Sequence, residues 1–145
     1  MTPAYHNTIR LTVQATKEWA QQVDDEAGWG DEHRSFQLLR STLHALRDLL
    51  SVDEAAQLSA QLPILIRGLF FEGWNPSEPT AEHRSKDWFV ARIANDFKTS
   101  PLPDPEAAIT AVFRVLNARI SAGEVADIRS ALRPQLRELW PAPAV

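Results

Sequence analysis

Arg40, His44 and Arg47 follow one another at spacings of four and three, and Asp48 stands four after His44, which sets them along one strip of a helix. Guanidinium and imidazole groups held this way suit two kinds of chemistry. One is a pocket for a small molecule or anion, to which Arg67, Glu72 and Trp74 would add a second cation, an acid and an aromatic wall. The other is a network of hydrogen-bonded charges that ties helices together and binds nothing. The candidate binding residues are therefore His44, Arg47, Arg67, Glu72 and Trp74. A second cationic strip, Arg129, Arg133 and Arg137, runs at i, i+4 with no acid four residues before any member. Like charges at that spacing destabilise a helix by about 0.2–0.5 kcal/mol per pair. Either acids from another helix neutralise this strip, or it is a face for an acidic partner.

Other chemistries find little footing. His6, His33, His44 and His83 include no pair at the i, i+4 spacing that would put two imidazoles on one helical face, so no metal is expected. Glu32-His33-Arg34-Ser35 returns as Glu82-His83-Arg84-Ser85, at an offset that fits no structural repeat. The run Asp24-Asp25-Glu26 is placed to end a helix in solvent, because negative charge is unfavourable at a helix C-terminus. With no Ser/His/Asp set on a supporting turn, no phosphate loop and only five glycines, neither an enzyme nor a cofactor is expected.

Composition narrows the class. Hydrophobic residues at 44% and charged residues at 23% are those of a globular domain. A net charge of −4 argues against nucleic acid as a partner. The charge is uneven: residues 1–78 carry 6 basic and 11 acidic side chains, residues 79–145 carry 9 and 8. No apolar run approaches the ~20 residues of a membrane span, no export leader is legible at the N-terminus, and cysteine is absent. The expectation is a cytoplasmic protein with no membrane partner.

The elements that must position these residues read as helices. Ile9, Val13, Thr16, Ala20 and Val23 recur at three and four and predict a first helix with one buried stripe, ended by Gly28. Phe36, Leu39, Leu43, Leu46 and Leu50 predict a second. A third starts at the capping box Ser51 and Glu54, with Leu58, Leu62, Leu65 and Leu69 as its core stripe. The pattern then returns. Thr16-Lys17-Glu18-Trp19 is echoed by Ser85-Lys86-Asp87-Trp88, and beyond it Leu46, Ser51, Glu54, Leu62 and Arg67 fall on Leu116, Ser121, Glu124, Leu132 and Arg137. The second set of stripes is Phe89, Ile93 and Phe97; Ile109, Phe113, Leu116 and Ile120; and Val125, Ile128, Leu132, Leu136 and Leu139. Asp104-Pro105 and Ser121 with Glu124 supply its caps. Pro63 and Pro134 fall inside the third helix of each copy and predict a kink there.

The fold class is thus all-α: one domain over residues 1–145, a helical bundle of two tandem three-helix repeats with internal pseudo-symmetry. Repeat one covers about 8–72, a linker about 73–84, and repeat two about 85–140. Trp74 stands where the third helix gives way to the linker, and its ring is expected to fold back on the junction near Arg67 and the helix of Trp88, since a tryptophan can bury 150–250 Å².

The stretch LRSTLHALRDLLSVDEAAQLSAQLPILIRGLFFEGWNPS, residues 39–77, resembles the bacterial domain-of-unknown-function family 2267, in its LHALRD, VDEAAQL, AQLP, IRG and EGW segments. AVFRVLNARISAGEVADIRSAL and LRELW resemble a more degenerate second copy, in which the histidine is lost. The resemblance runs from about Thr8 to Trp140. It implies two helical repeats in a bacterial cytoplasmic protein, with no activity or cofactor attached. The function expected from the residues is a protein-interaction or scaffold module, with an unknown protein partner or self-association. The alternative is a small-molecule or anion-binding domain with a pocket at the seam between repeats, lined by Arg47, Arg67 and Trp74.

Overall fold

The computed structural model describes residues 3–78 and 85–143, which form eight helices and no strand. Residues 1–2, 79–84 and 144–145 lie outside the described residues, among them His83, most of its Glu-His-Arg-Ser motif and half of the expected linker. No helix among the described residues is long and apolar enough to cross a membrane.

α1 (Ala4–Ala27) ends where predicted, at Gly28 with φ 69°, whose N–H donates to Asp24 O. α2 (Glu32–Arg47) starts on Asp31, which caps the Arg34 amide. Asp24 departs from expectation. It is buried, and its Oδ1 accepts from Asp31 N at 2.9 Å and Ser35 Oγ at 2.7 Å, so it fastens the α1–α2 turn instead of facing solvent.

Two short helices stand where each single third helix was expected. α3 (Val52–Ser59) and α4 (Ile64–Phe71) are separated at Pro63, with φ −55° and ψ 151°. α5 (Lys86–Asn95) and α6 (Pro105–Arg119) follow, and α7 (Ala122–Ala131) and α8 (Pro134–Arg137) are separated at Arg133, extended at ψ 149° before Pro134. Proline lacks an N–H and disfavours the helical region for the residue before it, so the predicted kinks are full breaks. The break at Pro63 also resets the helical phase. Leu58 and Leu62 are buried as expected, but Ile66 and Phe70 replace Leu65 and Leu69 in the core, and Leu65 is exposed.

α2 and α6 form the centre. α2 packs on α1, α4, α5 and α6, and α6 packs on α1, α2, α5 and α7. Leu39, Leu43, Leu46 and Leu50 are buried along with Leu38 and Ala45, so α2 is covered on more than its predicted stripe. Phe113 of α6 stacks on Phe89 at 6.1 Å and on Trp140 at 4.3 Å.

Backbone carbonyls beside the breaks find arginine partners, among them Leu62 O and Leu132 O. Arg67 Nε donates to Ser59 O at 2.8 Å, and its Nη2 to Leu62 O at 3.1 Å. Arg137 Nε donates to Arg129 O at 2.8 Å, and its Nη2 to Leu132 O at 2.9 Å. The α3 start is a full capping box, with Ser51 N donating to Glu54 Oε1 at 2.8 Å. α7 has half of one. Ser121 accepts from Glu124 N, but Ser121 N donates to Gln61 Oε1 at 2.7 Å, so the expected return bond to Glu124 is replaced by one from the α3–α4 loop.

Candidate functional site

α4 ends at Phe71, where a helix leaves carbonyls beyond the reach of its own ladder, and α2 lies alongside with donors for Leu69 O, Phe70 O and Glu72 O. His44 Nε2–H donates to Leu69 O at 2.7 Å; Arg47 Nη1 donates to Phe70 O at 3.1 Å and Glu72 O at 2.6 Å. The Arg47 guanidinium also meets the negative end of the backbone dipole, which favours a cation at a helix C-terminus. The His44 and Arg47 pair on α2 thus serves as an external cap for α4. Arg47 is only 4% exposed and its Nε also donates to Asp48 Oδ1 at 2.9 Å, so it lies inside the joint and not on the outer edge of the helix.

The network extends to α5. Asp48 accepts a short charge-assisted bond from Arg92, whose guanidinium sits 5.5 Å from the Trp88 ring centroid. Burial disfavours the Asp48 carboxylate, but hydrogen bonds and charge from Arg47 and Arg92 outweigh it and hold the carboxyl below its ordinary value. His44 is also held below its ordinary value, chiefly by burial and then by the nearby positive Arg47 and Arg40, against the pull of Leu69 O and Glu72. It is therefore the neutral imidazole that caps α4.

Beside this joint is an open cleft of about 310 Å³ lined by Gln37, Arg40, Ser41, His44 and Asp96. Ser41 Oγ donates to Asp96 Oδ2 at 2.5 Å, and Arg40 is paired with the half-exposed Glu72 at 2.5 Å. Gln37, Ser41 and Asp96 were not singled out in the sequence. The first two share a helical face with His44, and Asp96 joins them only because α5 crosses α2.

The proposed wall of Arg47, Arg67 and Trp74 is not assembled. Arg67 turns to the end of α3, whereas Arg47 turns to the end of α4, so their guanidiniums cap different helices. Trp74 is half-buried against Phe71, with ring centroids 5.0 Å apart. Two members of the C-terminal strip, Arg129 and Arg137, are likewise engaged within the chain, by backbone carbonyls. Arg129 Nε donates to Trp140 O at 3.1 Å, and Arg137 caps α7. Another tie that the sequence did not reveal is Arg34, which donates to Ser100 Oγ and Pro101 O and lies 5.2 Å from the Trp29 and Phe97 rings.

A different surface is left uncovered. The predicted stripe of α1 is one continuous face, but only its second half is buried, at Thr16, Trp19, Ala20 and Val23. Tyr5, Ile9 and Val13 continue that face at 63%, 56% and 38% exposure. The burial expected of Ile9 and Val13 fails because α1 outruns the helices it packs on. Thr12 Oγ1 accepts from Leu65 N at 2.9 Å, which brings the exposed Ile64 and Leu65 at the start of α4 alongside.

The family model for uncharacterized conserved proteins designated DUF2267 matches residues 16–139. The match begins where the α1 side chains become buried, so the uncovered segment lies outside it. No curated protein matches the chain.

Proposed function

We propose that this chain, which belongs to the DUF2267 family, works as a protein-interaction module that docks an apolar partner surface on the first half of α1 and the start of α4. The observation that carries this reading is the continuity of the α1 stripe. A helix whose apolar face is buried over one half and bare over the other has a surface suited to a second molecule. The residues that would serve a rival anion pocket are occupied in capping helices, which favours the interaction reading.

The module is further proposed to be a tandem duplication. Its support is the recurrence of the same hydrogen bonds at a shift of 70 residues: Arg67 to Ser59 O and Leu62 O, and Arg137 to Arg129 O and Leu132 O. On this reading each copy has four helices and not three, and the first half of α1 is an addition to copy one, because α5 has 10 residues against 24 in α1.

A second reading, small-molecule binding, is favoured by one feature, the cleft between α2 and α5 with Arg40 and His44 on its wall. The two separate cleanly. A variant carrying Ile9→Glu and Ile64→Glu should keep its helical spectrum and melting temperature, while proteins that co-purify with the wild type are lost. Retention of the same partners by the variant would overturn the interaction reading and direct attention to the cleft.

A further inference from the structure

We infer that the uncovered face of α1 is occupied by the same face of a second copy of this chain, the two α1 helices lying antiparallel about Ile9. This rests on the interaction reading above and names its partner.

The apolar positions are Tyr5, Ile9 and Val13, equally spaced about the middle one. In an antiparallel pair centred on Ile9, each Tyr5 opposes the other copy's Val13, and Ile9 meets Ile9. That is the self-complementarity a two-fold interface requires, where residue i meets j and j meets i. The polar residues obey the same register without conflict: Arg10 falls opposite Thr8, and His6 opposite Thr12, so no like charges are opposed. Ile64 and Leu65 lie beside Thr12 of their own copy and extend the seat for the incoming Tyr5. Leu11, also exposed, is on another side of α1 and takes no part. Joining two faces of this size removes roughly 1,000 Å² from water, the lower limit for a specific interface. The dimer is accordingly weak and reversible, forming in the micromolar range.

Sedimentation of the full chain across micromolar to millimolar concentration should show a monomer–dimer equilibrium. Ile9→Glu sets two carboxylates together at the axis and should weaken it about tenfold or more, with circular dichroism and melting temperature unchanged. Tyr5→Glu and Val13→Lys should each weaken the dimer. Both substitutions in one chain should restore it, because each new acid then opposes the partner's new base. A protein that is monomeric throughout, a dimer indifferent to Ile9→Glu, or a double variant weaker than both single ones would overturn the inference. A monomer whose Ile9→Glu, Ile64→Glu variant still loses co-purifying proteins would leave the interaction reading standing with a different partner.

Discussion

The neutral state of His44 makes the α2–α4 joint sensitive to pH. Burial lowers its folded-state value below the ordinary 6.5, so between those two values the unfolded chain binds more protons than the folded one, and stability rises with pH across that window. The contribution is whole above about 6.5 and is lost as pH falls through the lowered value. Denaturant midpoints measured at successive pH values should decline in that window for the wild type and stay flatter for His44→Gln; parallel profiles would show that His44 does not cap α4 as a neutral ring. At Thr42 the reverse economy applies. Its hydroxyl is fully buried with no hydrogen-bond partner among the described residues, and an unpaired buried hydroxyl costs about 1–3 kcal/mol. Thr42→Val keeps the shape and removes the polar atom, so the unfolding free energy should rise by about 1 kcal/mol. An unchanged or lower value would reveal a partner for the hydroxyl.

Helix ends in this chain depend on partners both near and distant in sequence, and that division decides what a reader of the sequence can find. Caps made within three residues, at Ser51, Asp104 and Ser121, follow from residue type and spacing. The core positions of α5, α6 and α7 named from periodicity are buried, whereas in α2 the predicted Phe36 is half-buried and Leu38 and Ala45, off the stripe, are buried. The breaks at Pro63 and Pro134 were marked, but their effect on phase depends on how many residues the extended bridge consumes, and so Ile66 and Phe70 were missed. Arg47, Arg67 and Arg137 were visible as cations, whereas the carbonyls they meet are set by how helices fold back on one another. Ser121→Ala and Ser51→Ala should each cost about 0.5–2 kcal/mol. Glu54→Ala should cost more than Glu124→Ala, since only Glu54 accepts the return bond; equal losses would mean that both boxes are complete. Arg67→Gln and Arg137→Gln should each lower stability by about 1–3 kcal/mol, by leaving carbonyls unsatisfied. No loss in either would free these arginines for a partner.

At the scale of the molecule, the tightly paired and internally capped body contrasts with the bare end of α1. Twenty-four residues make a helix of about 36 Å, longer than α2 and α6, the helices of 16 and 15 residues on which it mainly packs. Apolar side chains left this exposed add less to the stability of one chain than buried ones do, and the interaction reading assigns them to contact with another. The direct measurement is photo-cross-linking in the source cell from a probe replacing Ile9, compared with one replacing Glu18, which is exposed on a different side of the same helix. A discrete protein adduct from position 9, with little or none from position 18, is the predicted result. No adduct from position 9, or equal adducts from both, would contradict a docking role for this face.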